Sequence, residues 1–235
     1  MHKTFGVFLS HYKFEAAAEA RILKLELVRS LRTKEEEVFL DADNLTNLKD
    51  LLLHVENSDA VALLYTKGVL CRPWCLLELY TAVERSVPIF IVRVANAFAG
   101  DLEEISSILD DLPKYLADTN PTASETLRAL KYDVSKIAAS LKPALCAGDG
   151  LEIVNFDPHQ GSAMLHAEIG QIAHALVRLC CPQNEPLLID FESAGREPWP
   201  VKRRFPVYIV HEEQSPKVVE QVRSPEWFAI PIAAC

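Results

Sequence analysis

Residues 59–94 read DAVALLYTKGVLCRPWCLLELYTAVERSVPIFIVRV, and this stretch decides the fold class. Two apolar runs, residues 59–65 and 87–94, flank a segment whose apolar residues recur at helical spacing. Each run is continuously apolar rather than alternating, which is typical of a strand that is covered on both faces. The stretch therefore predicts a strand–helix–strand unit within a parallel sheet.

The same alternation of apolar runs and helical segments continues on both sides of this unit. Further strands are predicted at residues 4–10, 38–43 and 151–156, and further helices at residues 15–32, 48–58 and about 163–181. We therefore expect an α/β fold with a doubly wound, flavodoxin-like, five-stranded parallel sheet and helices on both faces.

The segment between the fourth and fifth strands, residues 96–150, is predicted to be an extended helical insertion. Residues 101–116 and 123–141 both show helical periodicity. Thr122 and Glu125 have the capping-box spacing at the start of the second of these helices.

The composition changes at Pro182, because eight of the 14 prolines lie in the last 54 residues. We expect one α/β domain over residues 1–181, followed by a linker and C-terminal extension over residues 182–235. Within the extension, FPVYIVHEEQSPKVVEQV (residues 205–222) again indicates a strand and then a helix. Two interpretations stay open for this extension: the start of a second α/β unit, or an arm that packs on the first domain.

The overall composition limits the classes of function. Hydrophobic residues make up 49% of the 235, as in packed globular proteins, and the net charge of -9 disfavours a nucleic-acid partner, which requires a cationic surface. The apolar runs are too short or too interrupted for a signal peptide or a membrane-spanning helix, so no membrane partner is expected. The six cysteines form no zinc or redox motif, which favours a reducing, cytoplasmic location.

Ligands of doubly wound folds bind beyond the carboxyl ends of the strands. This rule selects the polar residues that follow each of the first three strands, together with the start of the next helix. The candidates are Ser10, His11, Lys13, Asp41, Asp43, Thr66, Lys67, Trp74 and Glu78.

Trp74 and Glu78 lie one helical turn apart, and an apolar stripe of Leu76, Leu79 and Tyr80 lies on roughly the opposite side of the predicted helix. An indole beside a carboxylate suits a flat cationic ring attached to a sugar: the indole can stack on the ring, and the acid can stabilise positive charge at the sugar carbon. The nicotinamide of NAD is such a ring.

These residues also carry a resemblance to a known family. VFLSHYKFEAAAEA, VFLDADNL, SDAVALLYTKGVLCRPWCLLELYTAV and VPIFIVRV together resemble a Toll/interleukin-receptor (TIR) domain over roughly residues 4–178. The segment RPWCLLEL (residues 72–79) is similar to the tryptophan-cysteine-leucine-x-glutamate-leucine signature of TIR domains that cleave NAD.

The resemblance implies a function, a substrate and a mode of assembly. It implies that Glu78 is the catalytic residue that breaks the nicotinamide–ribose bond, and that NAD+ is the substrate with no separate cofactor. It implies a substrate-binding role for Trp74, at the family's aromatic position, and for His11 and Lys13 after strand one. Together with Ser10 and Asp43, which the carboxyl-end rule selects, these residues form the predicted substrate-binding set. It also implies TIR-type immune or cell-death signalling in the cytoplasm, with neighbouring TIR domains as partners that complete the site through the loop after strand two.

One departure from the family lies in that loop. It reads DNLTNLKDLL, with Asn47 and Leu48 where many family members have glycine. A loop without glycine loses easy access to positive φ, so a different loop shape is expected. The altered loop favours a second hypothesis, a TIR–TIR interaction module without chemistry, whereas the Trp74 and Glu78 pair favours an NAD+ nucleosidase.

Other interpretations of single residues stay open. Glu78 could be a solvent-facing acid, and Trp74 could be buried under the insertion. Asp41 and Asp43 fit loop capping better than an acidic metal pocket, because Tyr65, Thr66 and Lys67 stand where such a pocket needs an aspartate. His159, His166 and His174 lack an acidic or thiolate companion, so no metal site is predicted. Cys75 is expected to be a buried, unreactive thiol.

Overall fold

A computed structural model describes residues 4–31, 33–40, 48–146 and 151–180 of the chain. It contains one sheet of five parallel strands in the order β2-β1-β3-β4-β5. The strands are β1 (Phe5–Ser10), β2 (Val38–Leu40), β3 (Ser58–Tyr65), β4 (Ile89–Val94) and β5 (Ile153–Phe156). The predicted doubly wound, flavodoxin-like α/β fold is confirmed, and each predicted strand is present.

Eight α-helices connect or follow the described strands. They are α1 (Lys13–Leu31), α2 (Leu48–Glu56), α3 (Pro73–Glu84), α4 (Glu104–Asp110), α5 (Leu112–Thr119), α6 (Pro121–Ala129), α7 (Val134–Cys146) and α8 (Ser162–Cys180). Among the described residues, none of the helices combines the length and apolar character that crossing a membrane requires. The predicted linker and extension, residues 182–235, lie outside the described residues.

The side chains of the strands alternate between two hydrophobic layers. Phe8, Val61, Leu63 and Ile91 face a layer that contains α2, α3 and the helices of the insertion. Val7, Leu9, Ala62 and Val92 face the layer formed by α1 and α8. Both faces of the central strands are therefore covered, which is why these strands are continuously apolar in sequence, whereas the edge strand β5 is exposed at Ile153. Burying each Val, Leu or Ile contributes roughly 1.5–3 kcal/mol.

The insertion forms four short helices rather than the two longer ones that periodicity predicts. Residues 101–116 divide into α4 and α5 at Asp111, whose backbone is not helical (φ -138°, ψ 56°) and whose carboxylate accepts from the backbone N–H of Lys114. Residues 123–141 divide into α6 and α7, because Lys131 has a left-handed φ of 65° and Asp133 caps the start of α7 by accepting from the backbone N–H of Ser135.

The predicted capping box is wrong. The residue that precedes α6 is Asn120, and the Thr122 hydroxyl donates to the Asn120 side chain rather than capping the helix itself. Pro121 supplies the first residue of α6, where its missing N–H costs nothing. The helix therefore begins two residues before the sequence signal.

The insertion covers the outer side of α3. Helix α7 packs against both α3 and α4, and α6 also contacts α3. As a result, α3 is buried on most sides, with Leu77 and Ala82 as inaccessible as the predicted stripe residues Leu76 and Leu79. The insertion therefore converts a surface helix into a core helix.

Replacing glycine with alanine at two positions tests the packing, because each substitution adds a single Cβ atom. A Cβ at Gly100 would lie 2.6 Å from Cε1 of Tyr65 and 3.1 Å from the carbonyl carbon of Thr66. A Cβ at Gly170, inside α8, would meet nothing within 4 Å. We expect Gly100→Ala to lower the free energy of unfolding by about 1–3 kcal/mol through overpacking, and Gly170→Ala to raise it by about 0.5–1 kcal/mol through helix propensity.

Urea denaturation monitored by circular dichroism measures both values, and each variant serves as the control for the other. Equal effects of the same sign would contradict the close approach between Gly100 and the Tyr65 ring.

Candidate functional site

The candidate site lies at the carboxyl ends of β1 and β3. The chain leaves β1 toward α1 on one face of the sheet and leaves β3 toward α3 on the other face. Neighbouring strands β1 and β3 are thus the point where the strand order reverses, and doubly wound folds bind ligands in the crevice that opens there. Ser10, the last residue of β1, is the register partner of Leu63 in β3.

A buried hydrogen bond joins the two sides of this crevice. The Ser10 hydroxyl donates to Oε2 of Glu78 across 2.6 Å. Ser10 is fully buried and Glu78 in α3 is only 4% exposed. The solvent-facing interpretation of Glu78 is therefore wrong: the carboxylate lies inside the fold, within reach of the end of a central strand.

Cys75 lies in the same buried group of polar side chains. Its thiol donates to the backbone carbonyl of His11 at 3.4 Å. Burial, and then the nearby Glu78 charge, raises the pKa of the Cys75 thiol well above its ordinary value, while Arg72 and Ser10 act in the opposite direction. The predicted buried thiol is confirmed, and its position ties the first turn of α3 to the turn after β1.

Trp74 lies on the surface of the protein. Its side chain is 42% exposed, so the interpretation that the insertion buries it is wrong. Trp74 and Glu78 share one side of α3, since they are four residues apart, yet they lie at different depths. Trp74 and Glu78 were both expected to turn away from the core. This holds for the Trp74 indole, whereas Glu78 is buried.

The residues after β1 differ widely in exposure. His11 is buried, whereas Lys13, the first residue of α1, is exposed. Tyr12 lies between them in sequence. The Arg72 guanidinium packs on its ring, with the guanidinium carbon 4.5 Å from the ring centroid. This cation–π contact joins the turn after β1 to the residue that precedes α3.

Exposed aromatic rings continue from this point across the edge of the sheet. Phe14, which is 74% exposed, lies 6.0 Å from Tyr12 and 5.7 Å from Phe98, measured between ring centroids. Phe98 follows β4, so the rings connect the loops of two strands. An exposed apolar surface of this kind is typical of a contact site.

Sequence reasoning missed the residues that fix the loops around the site. A carboxylate oxygen of Glu15 accepts from the backbone N–H of Gly68 at 2.9 Å, which joins α1 to the loop after β3. The Asn96 amide donates to the Glu15 carbonyl and to the Glu19 carboxylate, both at 2.8 Å, and so adds the loop after β4. Applied to β4, the carboxyl-end rule would have pointed to Asn96.

The remaining candidates have varied positions. Thr66 is fully buried after β3, and its Oγ1 has no hydrogen-bond partner among the residues that the structure describes, whereas Lys67 is exposed. Asp41 and Asp43 lie outside the described residues, so their predicted roles stay predictions. Leu40, the last residue of β2, is the register partner of Leu9, which places the end of β2 beside the end of β1.

The three histidines of interest are spread along the last part of the chain. His159 and His166 are exposed, and the His166 ring shares a hydrogen bond with the Ser162 hydroxyl. In the described parts of the chain, no three His, Cys, Asp or Glu side chains come together in a way that could hold a metal ion.

Comparison with known proteins finds similarity to solved structures only. No protein-family model matches the chain, and no curated protein matches it. A similar solved structure is that of the TIR domains of the activated Roq1 resistosome, which directly recognises the pathogen effector XopQ. The two chains are 17% identical, the match covers 72% of this chain and 97% of that one, and the TM-score is 0.41. The fold assignment therefore rests on the strand order and register of this chain itself.

The environment of Cys75 predicts its reactivity. Because the thiolate is the nucleophile and the pKa of Cys75 is raised, we expect iodoacetamide at about pH 8 to modify Cys75 roughly 100-fold more slowly in the folded protein than in urea. The half-buried Cys146 should react faster than Cys75 in the same sample. Peptide mapping by mass spectrometry measures both rates. Modification of Cys75 at the unfolded rate would show that the group around it is open to solvent.

Proposed function

We propose that the protein is an NAD+ nucleosidase that breaks the bond between nicotinamide and ribose and releases nicotinamide and ADP-ribose or a cyclic variant. Its setting would be TIR-type immune or cell-death signalling in the cytoplasm, with NAD+ as substrate and no separate cofactor. The observation that carries the proposal is the position of Glu78: a carboxylate inside the fold, at the reversal point of the strand order, within the signature RPWCLLEL.

The chemistry needs a negative charge rather than a proton donor. When the C–N bond to ribose breaks, its electron pair neutralises the pyridinium ring, so nicotinamide leaves without protonation. Positive charge then develops at the sugar carbon and its ring oxygen. A carboxylate in a poorly solvated site stabilises that charge more strongly than water does. Water then attacks the sugar carbon and loses a proton, which completes the hydrolysis.

The other predicted site residues would bind the rest of the dinucleotide. Trp74 offers an exposed indole for stacking, one turn from the catalytic carboxylate. Lys13 offers a cation at the first residue of α1, where backbone N–H groups also favour phosphate. His11 lies beside the buried group and Asp43 completes the proposed contacts, whereas the Ser10 hydroxyl already donates to Glu78.

A second candidate function is a TIR–TIR interaction module that acts as an adaptor or scaffold. Two observations favour it. Glu78 is 4% exposed, so a substrate must displace or rearrange groups around it, and the exposed rings of Phe14 and Phe98 offer a contact surface without any chemistry. The two functions are compatible if a neighbouring domain completes the site.

Glu78→Gln tests the enzyme directly. The amide keeps the shape of the side chain but removes its charge, so we expect nicotinamide release from NAD+ to fall at least about 100-fold. The matched control is Glu84→Gln on the same helix, where the glutamate is exposed, and its rate should equal that of the wild type.

Chromatographic measurement of free nicotinamide distinguishes the two functions. Wild-type protein that releases none at any concentration supports the interaction module. Equal release by the wild type and Glu78→Gln would remove Glu78 from the mechanism.

Assembly predicts an unusual dependence of the rate on protein concentration. If a neighbouring domain completes the site, the initial rate of nicotinamide release should rise faster than linearly as the protein is concentrated, and the rate per molecule should reach a plateau once assembly is complete. Light scattering on the same samples reports the assembly. A strictly proportional rate from dilute to concentrated protein would contradict a shared site.

A further inference from the structure

We propose that Ser10 is a positioning residue for Glu78, and that its hydroxyl holds the carboxylate ionised and oriented for the reaction rather than contacting the substrate. The inference rests on the proposed function, because it assigns Ser10 a task within the same site. It concerns a side chain that is separated from Glu78 by 68 positions in sequence and is brought to it only by the fold.

The geometry of the contact is that of a strong hydrogen bond. The 2.6 Å separation of Ser10 Oγ and Glu78 Oε2 lies in the range of an O–H group that donates to a charged oxygen. Such bonds are shorter and roughly twice as strong as those between neutral groups. The distance is therefore the one expected when Glu78 is ionised and Ser10 donates.

The hydroxyl is held rigidly. Ser10 is the last residue of a central strand, paired in register with Leu63 on β3, and is fully buried. The sheet therefore sets the position of the donor, and the donor holds Oε2 of Glu78 at a defined place. A reacting group must be oriented within fractions of an ångström, so a donor on a fixed strand is better suited to this task than one on a loop.

The hydrogen bond also opposes the effect of burial on the charge of Glu78. Removing a carboxylate from water favours its neutral form, whereas a donor to the carboxylate favours the ionised form. Because the proposed reaction needs the ionised form, the loss of this donor would leave more of Glu78 protonated at a given pH.

Other ionisable groups near the pair come from the turn after β1 and from the start of α3. They are His11, Arg72, Cys71 and Cys75. Arginine stays cationic, and burial raises the pKa of both thiols, so none of these three changes charge below neutral pH. His11 is the remaining ionisable group, and a direct measurement on Glu78 separates its titration from that of His11.

The experiment follows the carboxyl carbon of Glu78 by NMR during an acid titration of protein that carries isotope-labelled glutamate. The signal is assigned from its absence in Glu78→Gln. We expect the midpoint in Ser10→Ala to lie about one to two pH units higher than in the wild type, and Ser10→Thr, which keeps the hydroxyl, to restore the wild-type midpoint. Ser10→Cys, whose thiol is a weaker donor, should lie between them and serves if either of the other variants does not fold.

The activity of the same variants is the second measurement. In Ser10→Ala, the acidic limb of kcat/KM for nicotinamide release should move upward by the same amount as the NMR midpoint, with KM at neutral pH changed less than kcat. An unchanged midpoint in Ser10→Ala overturns the inference, and so does a large rise in KM alone, which would place Ser10 on the substrate. If the midpoint shifts in Ser10→Ala but the wild type releases no nicotinamide, the proposed function is overturned. The interaction of Ser10 with Glu78 is then still confirmed.

Discussion

The reversal of strand order between β1 and β3 is the constraint on which the rest of the structure depends. After these two strands the chain turns to opposite faces of the sheet. The connections that follow them therefore separate and leave a crevice between the next helices. Ser10 ends one strand, and Glu78 lies on the helix that follows the other. The fold brings these two residues together at the crevice, where their side chains form a hydrogen bond. Continuous apolar strands make this arrangement stable, since each face of the sheet is covered by helices.

The insertion changes what α3 can do. In a minimal doubly wound fold, the outer side of such a helix faces water, and an acid there would be an ordinary surface charge. Here α6 and α7 cover the outer side of α3, while Glu78 lies on the side that reaches Ser10 and is buried there, so the charge of its carboxylate is costly unless donors support it. The same enclosure lowers the local dielectric and strengthens any interaction of the carboxylate with a nearby cation. The insertion is remote in sequence from α3, yet it covers one side of that helix.

The sequence predicted the features that depend on burial of whole segments and missed those that depend on single contacts. Continuous apolar runs placed β1, β3 and β4, because a strand that is covered on both faces has few alternatives in composition, whereas the edge strand β5 alternates, with Ile153 exposed. The breaks at Asp111 and Lys131 were missed, since one capping carboxylate or one left-handed residue ends a helix without disturbing its apolar period. The burial of Glu78 was missed for a different reason: helical periodicity describes one helix, whereas the strand end that Glu78 reaches, at Ser10, lies elsewhere in the chain. Ser10 and Glu78 were each selected as candidates, but their contact depends on strand register and helix packing that a single sequence does not specify.

The donor to Glu78 is a neutral hydroxyl, that of Ser10, rather than a cationic side chain, and this affects the net charge of the site. A guanidinium placed at Ser10 would also keep Glu78 ionised, but its positive charge would cancel much of the field that the carboxylate exerts on a developing sugar cation. A hydroxyl supports the ionised form through one directed bond and adds no net charge. The guanidinium of Arg72, a nearby cation, lies over the Tyr12 ring at the edge of the site. There it forms a cation–π contact. Serine at the end of a rigid strand thus suits the role that we propose for Glu78, which needs a fixed negative charge in a poorly solvated place.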